Sequence, residues 1–172
     1  MRRNHTDNGA LSSISGTIIK LLTEMEKCYE DKNSKYFENL LNHQNHIIRT
    51  RAVCILADIA AEDSIESLSH VLEHDPDALV RHEAAFSLGQ LGFESGIKPL
   101  SQAVESDPSF FVRHEAAIAL GVIGSEKARM ILIEALSDSS EEVRKSALVA
   151  LANLEYISII KRKNKFTKMT GG

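Results

Sequence analysis

The sequence predicts an all-α protein, an α-solenoid of about four helix-pair repeats with an extra N-terminal helix. An internal repeat of about 32 residues and a composition poor in aromatic side chains support this prediction. Of the 172 residues, 43% are hydrophobic and 26% are charged, whereas only 5% are aromatic and none is tryptophan. Sheets usually draw on aromatic and β-branched residues, so this balance favours packed helices.

The repeat is strongest in the middle of the chain. Residues 75–92 align with residues 107–124, and most aligned positions are identical. Weaker copies occur near residues 46–56 and 138–151. One arginine marks each copy, at intervals of 32, 32 and 31 residues: Arg49, Arg81, Arg113 and Arg144. Four stacked repeats can bury a continuous core that no single repeat could bury alone.

Each repeat is predicted to form two helices. In both central repeats an Asp-Pro pair ends the first helix, and Asp77 or Ser109 can cap the second one. Gly92 and Gly124 fit the position just beyond the end of that second helix. These signals give the two central repeats the same helix boundaries.

Two recurring features indicate how the repeats stack. Gly89 and Gly121 lie inside the second helices, where glycine costs about 1 kcal/mol relative to alanine, so a closely approaching helix or ligand is expected there. An aspartate also stands six residues before the marker arginine, as Asp107 stands before Arg113. Such residues can bridge helix ends between neighbouring repeats, and we expect their role to be structural.

Predicted domain boundaries follow from these patterns. Residues 1–10 are expected to be disordered, residues 11–158 to form a single repeat domain, and residues 159–172 to form a flexible basic tail. Within the domain, residues from about 11 to 31 form the extra amphipathic helix, and residues from about 65 to 124 hold the two central repeats.

Charge is unevenly distributed along the chain. From Tyr156 onward there are five basic residues and no acidic one, which leaves fifteen basic and twenty-four acidic residues in the rest. An acidic body repels phosphates, so we expect no nucleic-acid partner except through the tail.

Apolar runs fall far short of the ~20 residues that cross a bilayer, and no secretory signal is present. Cys28 and Cys54 form no CxxC pair, so the sequence predicts a cytoplasmic protein with reduced cysteines and no membrane partner.

One pair of residues varies between repeats although the surrounding pattern does not. The four repeats carry at this place, in chain order, Thr50-Arg51, His82-Glu83, His114-Glu115 and Lys145-Ser146. Stacking therefore does not require His-Glu, yet both central repeats have it. Stacked second helices lie ~8–10 Å apart, so two imidazoles at equivalent positions could share a metal at ~2.1 Å from each nitrogen.

The carboxylates of the same pairs extend this hypothesis. Consecutive helical residues diverge by ~100°, so Glu83 should point toward a neighbouring ion or a hydrogen-bonding partner rather than chelate beside His82. The set thus looks like half of a dinuclear site. Mixed nitrogen and oxygen ligands with open positions suit non-haem iron better than structural zinc. The alternative is that duplication copied an incidental, solvent-facing His-Glu pair into both repeats.

From His46 to Tyr156 the sequence resembles the deoxyhypusine hydroxylases, which are α-solenoids of HEAT-like repeats. The phrases Val-Arg-His-Glu-Ala-Ala and Leu-Gly-Gln-Leu-Gly, and the order of repeats without, with, with and without His-Glu, carry the resemblance. The resemblance implies an iron-dependent, dioxygen-using hydroxylase or monooxygenase that modifies an amine-bearing side chain of a protein. It covers only one half of a family member, whose four His-Glu pairs hold two irons.

The resemblance also implies a role for each residue of the pairs. His82 and His114 would ligate one iron, and Glu83 would reach the partner iron. Glu115 would accept a hydrogen bond that orients a ligand or a bound water. Since one chain supplies two of the four pairs, a complete site of two irons, with dioxygen as co-substrate, requires a homodimer.

Two other interpretations stay open. The chain could be a metal-free HEAT-repeat module that binds a protein on its concave face. It could also handle a chromophore, because phycobilin-lyase-type repeat proteins share the Val-Arg-x-x-Ala-Ala-x-x-Leu-Gly frame. Neither alternative calls for His-Glu. The remaining histidines are predicted to be surface residues, and the phenylalanines near the pairs are predicted to be core or pocket wall: Phe86, Phe110 and Phe111.

Overall fold

The computed structural model describes residues 7–162, and within them every regular element is helical. Short 3-10 turns precede three of the helices. In chain order the α-helices are α1 (Asp7–Glu30), α2 (Ser34–Leu40), α3 (His46–Ala60), α4 (Ile65–His74), α5 (Ala78–Leu91), α6 (Ile97–Ser106), α7 (Phe110–Ile123), α8 (Arg129–Ala135) and α9 (Glu141–Arg162). Among these described helices, none combines the length and apolarity that a membrane span would need.

The helices form four stacked pairs behind α1, which confirms the predicted α-solenoid. α2 packs on α3, α4 on α5, α6 on α7, and α8 on α9. The second helices of the pairs also pack side by side, from α3 through α5 and α7 to α9. Equivalent leucines of the first helices, Leu68, Leu100 and Leu132, are fully buried. One continuous core therefore runs through the stack.

Helix ends in the central repeats largely follow the predicted caps. The carboxylate of Asp77 accepts a hydrogen bond from the backbone N–H of Leu79 at 2.8 Å. Ser109 occupies the same place before α7, but its hydroxyl makes no capping bond, so the predicted cap is wrong in that detail. Instead, the Ser109 backbone N–H donates to the Asp107 carboxylate at 2.8 Å. The aspartate of the Asp-Pro pair therefore organises the turn.

Glycines end the second helices and bring them close together. Gly92 and Gly124 have left-handed φ angles of 72° and 67°, as predicted for residues beyond a helix end. A Cβ added to Gly89 would stand 2.7 Å from the Cβ of Ala119 on α7, and Gly121 faces α9 in the same way. The interior glycines therefore serve helix–helix approach, which decides between the two explanations that the sequence left open.

Arginines join each repeat to the next through buried ion pairs. The Nε and Nη2 atoms of Arg81 donate to the two carboxylate oxygens of Asp107 at 2.7 and 3.0 Å. Its Nη1 donates to the backbone carbonyl of Asp75 in its own repeat at 2.8 Å. We call the three such pairs the arginine ladder: Arg49–Asp75, Arg81–Asp107 and Arg113–Asp138. This bidentate geometry confirms the structural role expected for these residues.

Both terminal helices extend beyond the predicted domain limits. α1 begins at Asp7, inside the segment 1–10 that was expected to be disordered, and α9 continues to Arg162, inside the predicted tail. α5 and α7 stop at a left-handed glycine, whereas α9 has Glu155 at the equivalent place and so has no such stop. Residues 1–6 and the rest of the predicted tail lie outside the described residues.

Candidate metal centre

The four candidate ligands lie in the first half of two neighbouring second helices. His82 and Glu83 belong to α5, and His114 and Glu115 belong to α7. We call these four residues the His–Glu column. Because α5 and α7 pack directly against each other, a side chain of one pair can contact the other pair.

His82 contacts the carboxylate of the next repeat. Its Nε2 lies 3.2 Å from Oε2 of Glu115, and both side chains are largely buried, at 18% and 10% exposure. The imidazole stacks on the ring of Phe111, with centroids 3.9 Å apart and planes inclined by 7°. Its other nitrogen, Nδ1, is buried and has no hydrogen-bond partner among the described residues. In the neutral imidazole, the proton on Nε2 faces Glu115 and Nδ1 keeps a free lone pair.

His114 makes the equivalent contact to the last repeat. Its Nδ1 lies 2.7 Å from Oγ of Ser146, which occupies the place that Glu115 holds one repeat earlier. The single hydroxyl proton of Ser146 is directed to the backbone carbonyl of Glu142 at 2.9 Å. Nδ1 of His114 must then be the donor, and its Nε2 is left as the acceptor nitrogen.

Glu83 turns toward the preceding repeat and accepts a hydrogen bond from the thiol of Cys54 at 3.0 Å. Partial desolvation of this thiol, followed by its hydrogen bond to Glu83, raises the pKa of Cys54 to about 12. The thiol thus stays protonated at neutral pH and remains a donor to the carboxylate. The sequence predicted only that Cys54 is a reduced cysteine, and its contact with Glu83 was not predicted. The repeat alignment could have pointed to this contact, because the positions equivalent to Cys54 hold the apolar residues Phe86 and Ile118 in the next two repeats.

Phenylalanines surround the column without joining the core. Phe110 is 51% exposed and Phe86 is 42% exposed, so neither belongs to the core, whereas Phe86 lines a cavity as the pocket-wall alternative predicted. Both stand on the second-helix face, where none of the described helices covers them fully. Phe111 is 39% exposed but forms a wall against His82.

A cavity of about 400 Å³ opens beside the column, between α5 and α7. Phe86, Ile118 and Val122 give it apolar walls, and the buried Glu115 carboxylate lies in its lining. A larger groove of about 1260 Å³ lies elsewhere, along α4 and the turn before α3. The smaller cavity is the one that adjoins the candidate ligands.

The chain does not group all its candidate ligands around one point. Within the part of the chain that the structure describes, no three His, Cys, Asp or Glu side chains are arranged to hold one ion. The column instead forms three separate contacts: His82 with Glu115, His114 with Ser146, and Glu83 with Cys54. One chain therefore presents at most part of a metal centre.

The chemistry of these donors nevertheless fits half of an iron site. Each imidazole has one nitrogen held by a neighbouring residue and one nitrogen with a free lone pair. Histidines that bind metals almost always donate their other N–H to a carboxylate or a similar acceptor, which fixes the ring orientation. The contact from His82 to Glu115 has this form. It is also the kind of contact that the resemblance implies for Glu115, whose role stays a prediction.

Comparison with known proteins places this architecture in a family. The model for HEAT repeats matches residues 17–89 and 65–152. The chain belongs to the HEAT-repeat family. No curated protein matches the sequence.

A solved HEAT-repeat structure is similar over almost the whole chain. It is human deoxyhypusine hydroxylase in complex with glycerol, with a TM-score of 0.69 and 26% sequence identity. The similarity covers 91% of this chain and 51% of the human protein. The chain therefore spans about half the length of the enzyme that it resembles.

Proposed function

We propose that this chain is one subunit of a homodimeric non-haem diiron hydroxylase that uses dioxygen and is similar to deoxyhypusine hydroxylase. One observation carries the proposal: His82 is oriented by the carboxylate of Glu115, and its buried Nδ1 has no hydrogen-bond partner in the described part of the chain. The similarity to human deoxyhypusine hydroxylase over 91% of the chain supports it.

Each residue of the His–Glu column has a role in this proposal. His82 and His114 hold one iron through the nitrogens that are not engaged in hydrogen bonds. Glu83 leaves Cys54 and reaches the iron held by the partner subunit, and Glu115 keeps the ring of His82 in place. Iron, when bound by these residues, would supply the activation of dioxygen, with one oxygen atom entering a C–H bond of the substrate and the other leaving as water at the expense of two electrons and two protons from an external reductant.

A twofold dimer would complete the ligand set. One chain offers two imidazoles and two carboxylates, too few for two irons, and a twofold interface repeats every ligand once. The human enzyme, of which this chain spans 51%, is about long enough to contain two such halves. In this dimer, two copies of the present chain would take the place of the two halves of the longer human enzyme.

The substrate in this proposal is a protein side chain that carries a cationic amine. The cavity beside Glu115 has apolar walls for a methylene chain, and its buried carboxylate favours a positive charge. The acidic body of the chain would attract such a substrate over longer distances. A cytoplasmic location belongs to the same proposal and is consistent with two cysteines that form no disulfide.

A metal-free HEAT-repeat scaffold is the second candidate. The observation that favours it is that the described residues hold no three-ligand group. Exposed Phe86 and Phe110 would then belong to a surface that binds a protein. Metal binding by the purified protein separates the two functions.

Substitution of the two histidines tests the proposed site. We expect His82→Ala and His114→Ala each to abolish iron binding in protein loaded under anaerobic conditions, because each removes one of two imidazoles. His46→Ala is the matched control, since His46 lies on the neighbouring helix α3 outside the column and should leave iron binding intact. Circular dichroism should show unchanged helical content in all three variants. Full iron binding by the His82 and His114 variants would contradict the proposed function.

A further inference from the structure

The last rung of the arginine ladder lacks its carboxylate. Arg144 donates through Nη1 to the backbone carbonyls of Asp138 and Ser139 at 2.7 and 3.0 Å, as the earlier arginines bond their own repeats. Its Nε and Nη2 have no carboxylate partner among the described residues, whereas those atoms in Arg49, Arg81 and Arg113 bind the next repeat. Residues 156–172 contain no aspartate or glutamate.

Apolar side chains that are buried in earlier repeats are exposed at the same end. Leu148 is 61% exposed, although its three equivalents are fully buried: Val53, Ala85 and Ala117. Leu136 is 38% exposed, although its equivalents are buried: Leu72 and Val104. Because only the copies in the last repeat are exposed, we infer that these positions face the next repeat in the stack. We call the surface formed by Leu136, Arg144 and Leu148 the C-terminal face.

The opposite end of the solenoid is closed. Met25 of α1 and Phe37 of α2 are fully buried there, in one apolar cluster with α3. His43 takes the place of the ladder aspartate six residues before Arg49, and the residue 32 positions before Arg49 is Thr17 rather than an arginine. The N-terminal end of the stack therefore lacks a ladder aspartate. The C-terminal end, by contrast, keeps a ladder arginine, Arg144, whose carboxylate partner is missing among the described residues.

We propose that the C-terminal face docks a helical partner that continues the repeat stack and places a carboxylate, at the turn between its two helices, on Arg144. The geometry of the internal rungs defines what fits: a helix pair with an apolar edge for Leu136 and Leu148, and an aspartate in the position of Asp138 relative to Arg113. Terminal repeats usually carry a polar outer face, whereas this face exposes the apolar side chains of Leu136 and Leu148.

A second copy stacked head to tail does not meet this requirement. Its N-terminal end would bring His43 to Arg144, where a carboxylate is needed, and α1 already covers the apolar cluster around Phe37. The partner is therefore a different helical segment. This proposal is independent of metal, because no residue of the C-terminal face belongs to the His–Glu column.

A binding experiment with an acidic helix pair tests the docking. The probe is a fluorescent peptide with the sequence of residues 125–154, which carries Asp138 between its two helical segments, and the matched control peptide carries Asp138→Asn. Titrated with the full chain, the Asp138 peptide should bind at least about tenfold more tightly, because a buried charged hydrogen bond is lost in the control. When the full chain carries Arg144→Gln, the two peptides should bind with equal affinity.

Surface variants and a tethered version complete the test. Leu148→Asp should abolish peptide binding, whereas Ile47→Asp, at a residue that is similarly exposed outside the C-terminal face, should not. If neither peptide binds measurably, the same thirty residues are inserted after Leu154, which makes docking intramolecular. The insert with aspartate should then unfold at a higher temperature than the insert with asparagine. Equal affinities of the two peptides, or equal unfolding temperatures of the two inserts, would overturn the proposal.

Discussion

The arginine ladder and the His–Glu column run along the same stack of second helices but follow different rules. In the ladder, three successive arginines make the same bidentate contact to the next repeat, at 2.6 to 3.0 Å. In the column, equivalent positions meet different partners, a carboxylate at His82 and a hydroxyl at His114. A contact repeated without change serves stacking. A residue pair confined to two repeats is free to serve something else.

Breaking the ladder should have the largest effect on stability. Arg81→Ala leaves the buried Asp107 carboxylate without its ion-pair partner, and we expect a loss of about 3–5 kcal/mol in the free energy of unfolding. Urea unfolding followed by circular dichroism measures this loss. Arg144→Ala is the matched control, because Arg144 bonds only backbone carbonyls and should cost about 1–2 kcal/mol. Similar losses in both variants would contradict the structural role of the ladder.

Separating the second helices should have the next largest effect. In Gly89→Ala the new Cβ would stand 2.7 Å from the Cβ of Ala119, so α5 and α7 must move apart, at a cost of about 1–3 kcal/mol. Gly16→Ala in α1 is the control, because nothing lies within 4 Å of its added Cβ. Its better helix propensity should stabilise the protein by up to about 1 kcal/mol. Thermal unfolding of both variants measures the contrast, and a stabilised Gly89 variant would show that the close approach is not required.

Acid should weaken the ladder in a defined direction. The hydrogen bond from Arg113 holds the pKa of Asp138 below its ordinary value, which is about 4. A carboxyl group with a lowered folded-state pKa stabilises the protein above its ordinary pKa, and this contribution is lost as the pH falls through that value toward the folded-state pKa. The stability difference between wild type and Asp138→Asn should therefore shrink as the pH falls from about 5 to below the ordinary value of about 4. Urea unfolding across this range measures it, and a constant difference would refute the pH dependence.

Features that depend on local sequence or exact repetition could be predicted from the sequence. The Asp-Pro stops, the left-handed Gly92 and the stacking of second helices all follow from short patterns that recur at 32 residues. The tail was predicted to begin at residue 159, whereas α9 continues to Arg162, because Glu155 replaces the glycine that ends the helix in the two preceding repeats. The absence of a stop signal is harder to recognise than its presence.

The side-chain contacts of the candidate site could not be predicted in the same way. His82 and His114 are in equivalent positions, but each orientation depends on the facing residue of the next repeat, Glu115 or Ser146. Glu83 depends on the preceding repeat, where Cys54 replaces an aromatic or branched residue. Sequence repetition thus identified the residues of the site, while the partner of each residue required the structure.

The measurement that tests the central claim most directly is iron content and molecular mass on one anaerobically loaded sample. Elemental analysis gives iron per chain, and light scattering during size-exclusion chromatography gives the mass of the particle. The proposed twofold site predicts about one iron per chain and about twice the mass of the 19.0 kDa chain. A monomer that holds iron well below one per chain would contradict the shared diiron centre and favour the metal-free scaffold.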